Sequence, residues 1–170
     1  MQLIELNKLM AIALLRKPPF ELSYSWVSLG FIIAFVSMLQ WGAQKISLSQ
    51  NSLALLWVYV ITQLICRVVP LLIANKKERM NQTLVALFGT DLIIFVPKLF
   101  MIATLDLKSP SPVSGMLITM LLAWQVAVSA HIYRFALNAT LWLAIVTAIG
   151  VTLTSAFLAN QLAVVLGIVS

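Results

Sequence analysis

Apolar residues run along this chain in long unbroken blocks, without the alternating or three-and-four spacing of a half-exposed strand or helix. Five blocks stand out: Ser23–Gly42, Leu53–Ala74, Thr83–Thr104, Val113–Tyr133 and Leu141–Ala159. Each is long enough for a helix that needs roughly 20 residues to cross the hydrocarbon of a bilayer. Short polar breaks separate them: AQKISLSQN, NKKERMNQ, DLKSPSP and RFALNA. Backbone in lipid must satisfy its own polar groups, so spans this long and this apolar read as helices. Transmembrane strands would be about half the length and alternate in polarity; the chain has no such pattern. The expectation is an all-α polytopic membrane protein, with five transmembrane helices in one domain at 20–170. The final LAVVLGIVS is too short to cross again, and either extends the fifth span or lies at the interface.

Ahead of these spans, residues 1–19 behave differently. On a helical wheel Glu5, Lys8 and Arg16 gather on one side, and Leu3, Leu6, Met10, Ala13 and Leu14 on the other. This pattern predicts an amphipathic cytoplasmic helix lying in the interface plane, ended by the double proline at Pro18 and Pro19. An ordinary helix packed on the bundle fits the same pattern. Charges spread through the segment and no small-residue cleavage site, so it does not read as a cleavable signal.

Composition agrees with lipid as the solvent. Hydrophobic residues make up 62% of the chain and charged ones 9%, against about 25% charged in soluble domains. The net charge of +6 is unevenly placed. Lys8, Arg16, Lys17, Lys76, Lys77, Arg79 and Arg134 fall on one side of the predicted topology, and only Lys45 and Lys108 on the other. Basic loops stay cytoplasmic, so the N-terminus is expected inside and the C-terminus outside. Trp26 and Trp142 near inner boundaries, and Trp41 and Trp57 near outer ones, suit interfacial belts. The charge is an orientation signal and no nucleic-acid footprint. Arg16, Lys17, Lys76, Lys77 and Arg79 are the expected contacts to anionic lipid headgroups.

Three features need chemistry. Arg67 and Asp91 lie at similar depth in consecutive spans, and intramembrane charges generally face the bundle and pair. They are expected to form an ion pair, serving either to lock two helices or to mark an ion path. Lys98 sits near a span end, where its stem can snorkel. Small residues recur every four positions along the fifth span: Thr140, Ala144, Ala148, Thr152, Ala156 and Asn160. Ala144, Ala148, Thr152 and Ala156 are the expected seam for close helix approach, within the bundle or in an oligomer. Gln125 in span four is a candidate hydrogen bonder between helices.

Enzyme chemistry finds little support. Cys66 is alone, which rules out a disulfide within the chain and any multi-cysteine metal site. The only histidine, His131, lies near a span boundary, away from any serine at depth. The GTD at Gly89–Asp91 resembles intramembrane aspartyl proteases, which need a second aspartate; the other one, Asp106, falls in a loop. No cofactor site and no phosphate-binding glycine loop is present.

The order of features resembles the Ypt/Rab-GTPase-interacting protein (Yip) family of five-span membrane proteins, in particular its bacterial branch. The likeness rests on LLRKPPFEL at Leu14–Leu22, FVPKLFMIATL at Phe95–Leu105, and WQVAVSAHIYRFALNATLWLAIVTAIG at Trp124–Gly150. It implies a non-enzymatic integral membrane protein of the bacterial inner membrane, acting through partners or the bilayer. The long cytoplasmic region of eukaryotic members has no counterpart here, so GTPase binding is not carried over. The leading functional expectation is therefore a membrane scaffold or accessory subunit, or a homo-oligomer, assembled through spans four and five. The alternatives are a small ion-coupled permease using Asp91 and a lipid-binding or membrane-shaping protein.

Overall fold

The computed structural model describes residues 6–19, 22, 25–47, 53–104 and 112–167. Leu3, Glu5, Asp106, Lys108 and the side chain of Lys45, all used above, lie outside the described residues. Every regular element among the described residues is helical: α1 (Leu6–Ala13), α2 (Trp26–Ser47), α3 (Leu53–Ile73), α4 (Met80–Thr104), α5 (Pro112–Leu137) and α6 (Leu141–Val165). A 3-10 turn, Lys77–Arg79, leads into α4. Four helices (α3 to α6, α4 taken with its 3-10 lead) are long and apolar enough to cross a membrane, and α2 adds a shorter apolar stretch, Trp26–Gly42. The tail beyond Ala159 continues α6 as far as Val165.

The ends of the helices follow local chemistry. Ser25 caps α2 by accepting from the Val27 and Ser28 amides, and Thr140 caps α6 by accepting from Leu143. Pro112 opens α5, where its missing N–H costs nothing. Three helices close with the same left-handed device. Leu15, Asn75 and Asn138 take positive φ at 59, 53 and 52°. The next amide then reaches back to orphan carbonyls: Arg16 to Ala11, Lys76 to Leu71 and Ala139 to Arg134. α1 therefore ends at Ala13, ahead of the double proline expected to stop it.

α4 is the axial element, packed against α1, α2 and α5, while α6 packs against α5 and α3. α3 and α4 are consecutive yet touch only lightly, so α3, α4, α5 and α6 form a ring with a gap on one side. The core gathers Leu84–Phe88 of α4, Leu29, Ile32 and Val36 of α2, and Val128, Ile132 and Tyr133 of α5.

α1 departs from an interfacial placement. Leu9, Ile12 and Ala13 are buried against the bundle, while Leu6, Met10 and Leu14 face outward. The helix is thus apolar on two sides, which the wheel reading missed. Gly89 is the reason it docks: a methyl group there would stand 2.7 Å from Leu9 Cδ2. By helical rise Gly89 lies about 14 Å along α4 from Met80. The Trp124 indole N–H donates to the Ala13 carbonyl at 2.9 Å, and Trp124 lies about 20 Å along α5 from Leu137. α1 is therefore sunk toward the middle of the bundle. The following segment turns back, with the Lys17 carbonyl 3.1 Å from His131 Nε2 and Pro19 beside Arg79 and Phe135.

Candidate functional site

Arg67 and Asp91 meet. Arg67 Nη2 donates to Asp91 Oδ2, and both side chains are largely buried, at 8% and 14% exposure. Because α4 starts at Met80, Asp91 lies about 16 Å along it, deeper than Arg67 is on α3, and the long arginine chain makes up the difference. The guanidinium also lies over the Phe88 ring, its Cζ 4.4 Å from the centroid, a cation–π contact strengthened by desolvation. Gln125 Nε2 donates to Asp91 Oδ1 at 3.4 Å, and the Tyr133 hydroxyl donates to the Arg67 carbonyl at 3.4 Å. One polar cluster thereby ties α3, α4 and α5 across the open side of the ring. Arg67 Nη1 is buried without a hydrogen-bond partner.

Next to this cluster the ring holds a cavity of about 160 Å³ that opens to the outside past the exposed Lys98 and Ala156. α3 lines it with Tyr59, Gln63 and Arg67, and α5 with Gln125, Ser129 and Tyr133. α4 contributes Leu87 and Lys98, whose ammonium also stands 5.9 Å from the Phe95 ring centroid. α6 supplies Ala148, Val151, Thr152, Ser155 and Ala156. Asp91 is not on the wall; it stands behind Arg67. Polar groups thus converge within a bundle whose outer faces carry Phe31, Ile65, Phe100, Met120 and Phe157.

The small-residue seam changes meaning here. Ala144 and Ala148 are buried within this chain, at 0% and 1% exposure, so they offer no surface to a partner. Thr152 borders the cavity, and Ala156 is exposed at its edge, not packed under a neighbouring helix. The buried positions further along are Ser155, Ala159 and Ala163. The correction has a geometric cause. Steps of four residues overshoot a helical turn by ~40° each, so a strict four-residue row drifts off the contact face and the next residue back replaces it.

Other expected sites also move. Arg79 is engaged within the bundle: it donates to the Phe135 carbonyl at 2.9 Å and to Asn138 Oδ1 at 3.1 Å. There it satisfies the carbonyl end of α5, where positive charge is favoured. Arg16, Lys17 and Lys77 are exposed and Lys76 is half-buried. His131 stacks edge-on against Phe135, with ring centroids 5.0 Å apart, and does not extend toward Asp91. A second hollow of about 270 Å³ lies beside Pro19, Arg79, Gln82 and Asn138, where Arg79 Nη1 is bonded to the end of α5. No three His, Cys, Asp or Glu side chains come together among the described residues.

Sequence reasoning missed Tyr59, Gln63, Ser129 and the cavity role of Lys98. A signal was available, since Tyr59, Gln63 and Arg67 recur every four residues and so share one face of α3. The chain matches no family model, no curated protein and no solved structure.

Proposed function

We propose that this chain is a non-enzymatic, five-span integral membrane protein that binds small polar solutes in its ring cavity and lets them permeate. What carries the reading is the convergence of Tyr59, Gln63, Arg67, Lys98, Gln125 and Ser129 on one cavity inside an otherwise apolar bundle. Buried polar groups in hydrocarbon are costly, and by default they mark solute or ion paths. α2 is the fifth span in this reading, and α1 inserts without crossing. The likeness to the bacterial Yip branch fits the five-span order and the inner membrane as the location.

Orientation follows from the loops. The NKKERMNQ and RFALNA turns share one end of the bundle, joined by Arg79, and that basic end is the cytoplasmic one.

The test is permeation in proteoliposomes holding the full chain. Shrunken vesicles should reswell faster than empty ones in at least one small polar solute or salt, and Thr152→Leu, which fills the cavity, should abolish the difference. Equal reswelling of protein-bearing and empty vesicles across small solutes and salts would overturn the reading.

A further inference from the structure

The geometry points to a small monovalent anion as the occupant of the cavity, a conclusion that rests on the cavity being a solute site. Charge on the wall is one-sided. Arg67 and Lys98 line it, and no aspartate or glutamate does among the described residues. Asp91, the acid nearby, is already engaged by Arg67 Nη2 and Gln125. A cation entering the cavity would therefore meet two positive side chains with no acid facing it. Since Asp91 balances Arg67, Lys98 leaves about one uncompensated positive charge, which one monovalent anion would neutralise. Rings of arginine and lysine are how pores select anions.

The neutral groups agree. Tyr59, Gln63 and Ser129 make no side-chain hydrogen bond to another described residue, so their O–H and N–H groups are open to an acceptor. Thr152 and Ser155 have spent their protons on the Ala148 and Thr152 carbonyls, so the donors concentrate on α3, α4 and α5. Size sets the class. A volume of about 160 Å³ is room for about five waters at their liquid volume. Halide or nitrate fits it with part of its hydration.

The experiment uses proteoliposomes of the full chain, with separate gradients of potassium chloride, nitrate and sulfate in the presence of valinomycin to carry the counter-ion, of sodium gluconate with a protonophore, and of urea. Thermal unfolding of the detergent-solubilised protein in the same salts reads binding without transport. Chloride and nitrate should permeate and raise the unfolding midpoint, while sulfate and sodium gluconate do neither. Lys98→Gln, at an exposed position that tolerates change, should lower the chloride rate on the order of tenfold, the low end of what one steering charge provides. Thr152→Leu should remove both chloride effects. Permeation of sodium or urea but not chloride or nitrate would overturn the anion assignment and leave the permeation reading standing. No permeation of any solute, with no stabilisation by chloride or nitrate, would overturn both. A chloride rate unchanged in Lys98→Gln would also overturn the assignment.

Discussion

Around the Arg67–Asp91 pair three interactions of different strength meet, and their ranking is testable. The ion pair with Asp91 is buried, so removing one partner strands a charge in a poor solvent at a cost of about 3–5 kcal/mol. The hydrogen bonds from Gln125 and Tyr133 are long, at 3.4 Å, and each contributes about 1 kcal/mol or less. Asp91→Asn and Arg67→Gln should each lower unfolding stability in mixed micelles far more than Tyr133→Phe or Gln125→Leu. Joint replacement by Arg67→Met and Asp91→Leu should recover most of the loss, because no unpaired charge is left. Equal losses in Tyr133→Phe and Asp91→Asn would show that the pair is not the dominant contact.

Among the elements, α1 and α6 show how one small residue decides packing. α1 is held by the fit of Leu9 against Gly89 and by the Trp124 indole on its last carbonyl. Gly89→Leu puts a side chain where Leu9 sits, and overpacking of this kind costs about 1–3 kcal/mol. The expected outcome is release of α1, read as maleimide labelling of an Ala13→Cys reporter that is protected when Gly89 is present. Protection that persists in Gly89→Leu would mean α1 is anchored elsewhere. Closing α1 also places Leu15 at φ 59°, a conformation costing a non-glycine residue roughly 1–2 kcal/mol. Leu15→Gly should therefore raise the midpoint of unfolding, while Asn75→Gly and Asn138→Gly, where asparagine already tolerates that geometry, should change it less. On α6 the alternation of alanine, threonine and serine has two results. Ala144 and Ala148 let α6 sit close to its neighbours, and Thr152 and Ser155 leave the room that becomes the cavity.

For the molecule as a whole, the cavity exists because α3 and α4, though consecutive, are not close neighbours. α3 leans on α6, not on α4, and the gap between α3 and α4 is spanned by side chains. A cysteine placed at Lys77 should react only with reagents admitted to the cytoplasmic side of oriented vesicles. Reaction from the opposite side alone would invert the topology.

The blocks of apolar residues determined by themselves that the chain is helical, where most helices lie, and that Arg67 needs Asp91. Hydrocarbon leaves a backbone few options, and a buried charge fewer still. Helix ends are set locally, since Ser25, Asn75, Pro112, Asn138 and Thr140 act through near neighbours in the chain, but apolar blocks alone did not mark them: the last helix runs on to Val165, past Ala159. Tertiary structure alone decided that α1 sinks against Gly89, that Arg79 caps α5, that the alanine row turns inward, and that Lys98 faces a cavity. Each of these depends on which helix stands opposite, and in lipid nearly every face is apolar enough to pack against any other. The pattern along one strand of sequence says that a residue is oily or charged; only the assembled ring says what it touches.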